Sequence, residues 1–207
     1  MRDILLVAFF IITIYYAFKK PYIGVAAWIW IALFAPTKWA FGFSTSLRMN
    51  FTIVIVTLLS YLVAFKDKRF TIGSIGFFVV LFLMQTGLST IFQDTINSAD
   101  VLSEYIEHIK TAMLFIFITL IVRTKNQLIT LVWAIVLAIS FYAAMEGTKF
   151  ILSGGGHQII GRAGVIIDRN DFAVAINMCI PLIFFLIYVT KHPLLKKLLW
   201  IIAILNV

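Results

Sequence analysis

The chain has 207 residues, of which 62% are hydrophobic and only 13% are charged. Soluble domains carry about 25% charged residues, so this composition excludes a soluble globular protein and indicates an integral membrane protein. Lys and Arg outnumber Asp and Glu by 17 to 9, but the basic residues stand in short clusters between apolar runs. A nucleic-acid-binding surface would need them along one face, so that function is excluded as well.

Apolar runs separated by polar breaks predict an all-α fold, a polytopic transmembrane helical bundle of about eight spans in a single domain, residues 1–207. The predicted helices cover residues 3–18, 21–36, 50–66, 70–92, 105–123, 127–150, 172–190 and 194–207. The last run would rise only about 21 Å, which is less than the roughly 30 Å hydrocarbon core of a bilayer. That span is therefore expected to be incomplete, and the chain to be the N-terminal part of a longer membrane protein.

The basic residues between the runs predict the orientation of the helices. The positive-inside rule favours placing ten of the seventeen on the cytoplasmic side, namely Lys19, Lys20, Lys66, Lys68, Arg69, Arg123, Lys125, Lys191, Lys196 and Lys197. The N-terminus and the loops 37–49, 93–104 and 151–171 then lie outside.

Acidic residues open the fifth predicted helix. Glu104 and His108 are four residues apart and share a helix face, and Glu107 and Lys110 are three apart. Two interpretations stay open: a solvated turn at the membrane surface, or a surface that contacts a cationic or sugar ligand. A metal site is not predicted, because no third ligand has suitable spacing.

Two further polar groups lie near the outer end of the sixth helix. Glu146 and Lys149 are three residues apart and are interpreted as an ion pair at the membrane interface. His157 follows in the next loop and is interpreted as a plain loop histidine. The one cysteine, Cys179, lies in an apolar segment, so neither a disulfide within the chain nor a cysteine metal site is expected.

The stretch from 153 to 181 is the strongest candidate for a functional site. Gly161 and Gly164 flank Arg162 and would let the backbone approach a phosphate or a sugar closely. Arg162 and Arg169 each offer a planar fork of donors that suits a diphosphate. The stretch has neither a P-loop nor a dinucleotide-binding pattern, and the chemistry it favours needs no metal and no cofactor.

Three polar residues, Asp168, Asn170 and Asp171, stand directly before the seventh predicted helix. Short polar side chains at this position accept a hydrogen bond from a free backbone N–H of the first turn. Asn170 or Asp171 is therefore predicted to cap that helix.

Two segments resemble a known family. Residues 161–182, GRAGVIIDRNDFAVAINMCIPL, resemble the signature of the O-antigen ligase and O-antigen polymerase superfamily. In that family an external loop with Arg and Gly leads through an Asn into a helix of small residues that ends in Pro. The N-terminal stretch, with its Lys-Lys-Pro turn and Trp-rich second helix, is similar to the O-glycosylation ligases found beside exosortase A systems.

The resemblance implies a bacterial inner-membrane glycosyltransferase. Such a protein moves an oligosaccharide from undecaprenyl diphosphate to a protein or polysaccharide acceptor, so its partners would be the bilayer, the lipid-linked oligosaccharide and the acceptor. Arg162 corresponds to the loop arginine that binds the diphosphate, Arg169 is a nearby basic candidate, and Asn170 matches the family Asn.

The chain also departs from the family pattern. The family's essential histidine lies in a long external loop that would follow Val207, so the catalytic base is expected beyond this chain, which alone is expected to be inactive. Two other functions stay open: part of a transporter or flippase for a polyprenyl-linked or anionic substrate, and a non-catalytic membrane subunit. Few polar residues inside the helices count against transport.

Overall fold

The computed structural model describes residues 2–64, 73–93, 98–158 and 168–206. This part of the chain forms α-helices and two 3₁₀ turns, Pro36–Trp39 and Phe43–Ser46, and contains no strand. The helices are α1 (Arg2–Lys19), α2 (Pro21–Phe34), α3 (Met49–Ala64), α4 (Ser74–Ile91), α5 (Ser98–Ile121), α6 (Lys125–Leu152), α7 (Arg169–Val189) and α8 (Pro193–Leu205). The predicted all-α fold is confirmed, and each predicted helix has a counterpart.

Fewer helices than predicted meet the length and composition of a membrane span. Among the described residues, α4, α6 and α7 are long and apolar enough to cross a membrane. The apolar helices α2 and α3 have 14 and 16 residues, which gives about 21–24 Å at 1.5 Å per residue. Charged residues at the ends of α1 and in the first half of α5 lower the apolar character of those helices.

Two helices begin three or more residues earlier than predicted. α5 starts at Ser98, so the second half of the loop expected at 93–104 is helical. α7 starts at Arg169 rather than at residue 172, because the side chain of Asp168 caps it by accepting a hydrogen bond from the Asn170 N–H at 3.3 Å. The prediction that Asn170 or Asp171 is the cap is therefore wrong, since both lie inside the first helical turn.

Residue contacts divide the chain into two compact units. Unit 1 comprises Met1–Ala64 and Thr124–Val207, and unit 2 comprises Phe65–Arg123. In unit 2, α4 packs against α5, and the hydroxyl of Tyr105 donates a hydrogen bond to the Leu83 carbonyl at 3.3 Å. The prediction of a single transmembrane domain stays a prediction.

Unit 1 is built around α2 and α6. α2 packs against α1, α3 and α6, while α6 also packs against α7 and α8. A capping box starts α6, because Thr124 and Gln127 exchange hydrogen bonds between side chain and backbone. The largest buried cluster joins α6, α7 and α8 through Val132, Val136, Ile139, Cys179, Ile183, Leu186, Ile187, Leu199 and Ala203.

The packing of unit 1 gathers its helix ends into two groups. Phe34 at the end of α2 contacts Phe141 in α6, and Tyr142 contacts Phe172 in the first turn of α7 with ring centroids 4.9 Å apart. The ends of α2, α6 and α8 therefore lie with the starts of α1, α3 and α7. We call this the carboxylate end, because it holds the acidic residues of unit 1, Asp3, Glu146, Asp168 and Asp171.

We call the opposite end of unit 1 the lysine end. Its charged residues, within the part of the chain that the structure describes, are all lysines. It collects Lys19, Lys20, Lys125, Lys191, Lys196 and Lys197. The Ser60 hydroxyl donates to the Phe18 carbonyl at 2.7 Å, which joins the last turns of α3 and α1 there. The acidic residues of unit 1 therefore lie at one end of its helices, and the opposite end is positively charged.

Candidate functional site

A buried carboxylate lies near the carboxylate end of α6. Glu146 is only 3% exposed, and its Oε1 accepts a hydrogen bond from Lys149 Nζ at 2.6 Å. α6 has 28 residues, and Glu146 stands about 32 Å along it at 1.5 Å per residue. The predicted ion pair is confirmed, but the acid is buried in the protein instead of lying open at a membrane surface.

The chain turns back after α6 and brings His157 onto this carboxylate. Gly154 and Gly155 have φ angles of 63° and 88°, a left-handed conformation that favours glycine over residues with a side chain. Ser153 accepts a hydrogen bond from the His157 N–H at 2.9 Å, and His157 Nε2 lies 2.7 Å from Glu146 Oε2. The interpretation of His157 as a plain loop histidine is therefore wrong.

Glu146, Lys149 and His157 form one unit that we call the charged cluster. Both carboxylate oxygens have a partner, Oε1 with Lys149 and Oε2 with His157. A buried carboxylate without partners would cost several kcal/mol, about 3–5 in mutational studies of broken buried pairs, so both contacts favour its burial. The triple glycine before the histidine was the signal in the sequence that could have revealed the turn.

The end of α8 and aromatic rings pack against α6 on either side of Glu146 in the sequence. A Cβ on Gly147 would lie 2.8 Å from the Leu205 carbonyl oxygen, so the lack of a side chain lets α8 approach α6 closely. One turn earlier, Tyr142 packs against Phe172 and against Trp39. These contacts pack α6 against α8 and against aromatic rings within about one helical turn of Glu146.

Part of the predicted site lies at the same end. Asp168, Arg169 and Asn170 form the exposed start of α7, beside the last turns of α6. Gly161, Arg162 and Gly164 lie outside the described residues. The binding role of all six residues stays a prediction.

The other predicted constellation is exposed. In α5, Lys110 Nζ lies 2.5 Å from Glu107 Oε1, with both side chains more than half exposed. The hydrogen-bond partner of His108 Nδ1, at 2.7 Å, is the backbone carbonyl oxygen of Glu104 and not the carboxylate of that residue. This arrangement fits the interpretation of a solvated turn. Among the described residues, no three His, Cys, Asp or Glu side chains are grouped so that they could hold a metal ion.

An apolar groove runs along α1 and α2 toward the carboxylate end. It consists of two adjoining cavities of about 320 Å³ and 370 Å³ that share Leu6, Phe9, Trp30 and Pro36. The second cavity reaches Trp39, whose ring contacts Tyr142 with centroids 6.0 Å apart. Tyr142 is one helical turn from Glu146. The sequence indicated only that the tryptophans could line a membrane interface, because the groove needs α1, α2 and α6 together.

The N-terminus is tied to this end of unit 1. The Asp3 carboxylate accepts hydrogen bonds from the Gly42 N–H at 3.2 Å and from the Ser44 hydroxyl. Ser44 is fully buried. These contacts hold the start of α1, and with it one wall of the apolar groove, against the connection between α2 and α3.

The fold and the site define an all-helical protein with helices of membrane-spanning length, a charged cluster around the buried Glu146, and an apolar groove that reaches the same end of unit 1. The chain belongs to the family of unknown function DUF5935, whose family model matches residues 1–192. A search of the curated proteins and a search of the solved structures found no match.

Proposed function

We propose that this protein is a multi-pass protein of the bacterial inner membrane that takes part in transferring an oligosaccharide from undecaprenyl diphosphate to a protein or polysaccharide acceptor. One observation carries the proposal: the apolar groove of unit 1 reaches Trp39, whose ring contacts Tyr142, one helical turn from the buried Glu146 of the charged cluster. A lipid-linked sugar has the same two parts, a long apolar chain and a charged head that carries the reacting bond. The resemblance to the O-antigen ligase superfamily agrees with this chemistry.

The charge separation in unit 1 supports a membrane orientation. The lysine end carries six lysines, whereas the carboxylate end carries both signs of charge. Basic residues are enriched on the cytoplasmic side of membrane proteins, which favours an orientation with the carboxylate end outside. We propose that all eight helices belong to the membrane domain, with the shorter ones spanning a locally thinner bilayer or tilting little.

The groove suits an isoprenoid chain. Its lining is almost entirely apolar, with Leu6 and Phe9 from α1 and Trp30 and Phe34 from α2. Aromatic and aliphatic side chains contact a branched hydrocarbon without leaving polar groups unpaired. The groove reaches Trp39, so a bound chain would end with its head near the charged cluster.

The polar head would meet the start of α7 and the loop before it. Arg169 is exposed at the carboxylate end, and Arg162 is expected to act with it on the diphosphate. The diphosphate gains negative charge as the glycosidic bond breaks, and arginine stabilises that charge without a metal. Asp168, Asn170 and the backbone at Gly161 and Gly164 would contact the sugar or the phosphates.

The test is glycan transfer in membrane vesicles that contain the protein made from its complete gene. Radiolabelled oligosaccharide on undecaprenyl diphosphate is the donor, and labelled acceptor is the product. We expect Arg162→Gln and Arg169→Gln to lower kcat/KM by at least about tenfold each, because each removes one charge-assisted contact worth about 1.5–3 kcal/mol.

Arg48→Gln is the matched control, since Arg48 is an exposed arginine at the same end of unit 1 that the proposal does not use. Unchanged transfer in both test variants would remove the two arginines from the site. A complete absence of transfer by the wild-type protein would overturn the proposed function, and accumulation of the donor on the cytoplasmic side in the variants would favour a flippase.

A further inference from the structure

The imidazole ring of His157 is held through one of its two nitrogens. Nε2 lies 2.7 Å from Glu146 Oε2, and the ring side chain is 31% exposed while that of Glu146 is 5% exposed. Within the described part of the chain, the hydrogen bonds and ion pairs of the His157 side chain are confined to this carboxylate. One nitrogen therefore faces a fixed negative charge, and among the described residues the other has no hydrogen-bond partner.

This geometry has a definite chemical consequence. A carboxylate that accepts the Nε2 proton selects the tautomer in which Nδ1 carries the lone pair. The same carboxylate stabilises the imidazolium ion that forms when Nδ1 takes up a proton. Lys149 holds the second oxygen of Glu146, so the carboxylate cannot rotate away from the ring without losing that contact.

The position of His157 is also fixed by its backbone. The left-handed turn at Gly154 and Gly155 and the bond from the His157 N–H to Ser153 set where the ring emerges from the end of α6. The apolar groove ends at the same end of unit 1. A donor head and a proton acceptor would therefore meet there.

We propose that His157 is the general base of the glycan transfer, with Glu146 as its positioning residue, an inference that rests on the proposed function. The acceptor hydroxyl oxygen bonds to the anomeric carbon of the donor sugar. The bond from that carbon to the phosphate oxygen breaks, and undecaprenyl diphosphate leaves with the electron pair. The hydroxyl proton moves to His157 Nδ1. This assignment differs from the expectation, drawn from the family resemblance, that the base follows Val207.

Several other charged groups lie at the same end of unit 1 as the ring. Lys149 is on the same helix, and the neighbouring start of α7 contributes Asp168, Arg169 and Asp171. Lys38 lies in the 3₁₀ turn whose Trp39 contacts Tyr142. α8 ends at the cluster with Leu205 and Asn206, which are uncharged.

The decisive variant is His157→Gln in the vesicle assay described above. A glutamine amide can still donate to Glu146, so the contact is retained, but it cannot take up a proton. General-base catalysis contributes about 10²–10⁴-fold, so we expect kcat to fall by at least about 100-fold with the donor KM nearly unchanged. The acid limb of the kcat/KM profile against pH should disappear. His192→Gln, at the lysine end, is the matched control and should leave transfer unchanged.

A second variant separates catalysis from folding. His157→Ala is expected to lose activity and to regain part of it when free imidazole is added, because imidazole supplies the missing base. Retained kcat in His157→Gln, or loss of activity without rescue of His157→Ala by imidazole, would overturn the assignment. If either result is found together with a loss of transfer in the Arg162→Gln and Arg169→Gln variants, the role of His157 is rejected and the proposed function still holds. If the wild-type protein shows no transfer, both the proposed function and the role of His157 are overturned.

Discussion

Two Glu–Lys pairs in this protein have the same spacing along a helix but different surroundings. Glu107 and Lys110 in α5 lie 2.5 Å apart with side chains 60% and 57% exposed. Glu146 and Lys149 in α6 lie 2.6 Å apart, but the Glu146 side chain is only 5% exposed. The first pair is solvated, while the second keeps a carboxylate inside the protein.

The difference shows what burial adds to an ion pair. An exposed pair contributes between about 0 and 1 kcal/mol, because water and salt screen both charges. A buried carboxylate loses its hydration and depends on its partners, so breaking its contacts has a much larger effect. Among the described residues, the second pair also recruits a third side chain, that of His157. Three substitutions would break or sharpen this comparison.

The largest effect is expected for Lys149→Glu. The change puts a second carboxylate three residues from the buried Glu146 and removes one of its two partners, so the free energy of unfolding should fall by about 3 kcal/mol. Thermal unfolding in detergent, detected by tryptophan fluorescence, measures this loss of stability, because all five tryptophans lie in unit 1. The comparison is Lys110→Glu, which should change the free energy of unfolding by less than about 1 kcal/mol. The loss of helical circular dichroism on heating measures that change. Equal losses would show that burial does not distinguish the pairs.

An intermediate effect is expected for Gly147→Ala. In an isolated helix this change stabilises by up to about 1 kcal/mol. Here the new Cβ would meet the Leu205 backbone oxygen at 2.8 Å, so we expect a loss of about 1–3 kcal/mol from overpacking. The matched control is Gly87→Ala in α4, where a Cβ would meet the Tyr105 hydroxyl, the end of a side chain that can move. A stabilised Gly147→Ala protein would show that α8 does not close over the cluster.

The smallest effect is expected for Glu107→Gln. Because this side chain is exposed, the free energy of unfolding should change by less than about 0.5 kcal/mol, and raising the salt concentration should reduce the change further. Denaturant unfolding monitored by circular dichroism would measure it. Glu146→Gln is the comparison and should be clearly more destabilising, since it weakens two contacts of a buried group. A Glu107→Gln loss as large as that of Glu146→Gln would contradict the comparison.

Much of the helical architecture could be predicted from the chain alone. Long apolar runs and their polar breaks located each helix to within a few residues, except at the start of α5, seven residues earlier than predicted. The cap of α7 was assigned to Asn170 or Asp171, although Asp168 performs that role. Sequence spacing alone could not decide among Asp168, Asn170 and Asp171, because Asp and Asn are both good capping residues. The choice depends on where the loop joins the helix.

The candidate site was only partly predictable. The pairing of Glu146 with Lys149 follows from helix geometry, since residues three apart share a face. The approach of His157 to Glu146 does not, because it depends on the left-handed turn at Gly154 and Gly155. The apolar groove could not be predicted either, because its walls come from α1, α2 and α6.

The amino-acid sequence by itself determined the all-helical class, the apolar runs and the separation of lysines from acids along the chain, because these depend on hydrophobicity and local backbone preferences. Tertiary structure decided which charges are buried and which are solvated. Glu107 and Glu146 each have a lysine three residues later, but their side chains are 60% and 5% exposed, because α6 packs against α2, α7 and α8 and the loop after α6 brings His157 onto Glu146. Burial is a property of neighbours distant in the chain, so no local pattern encodes it.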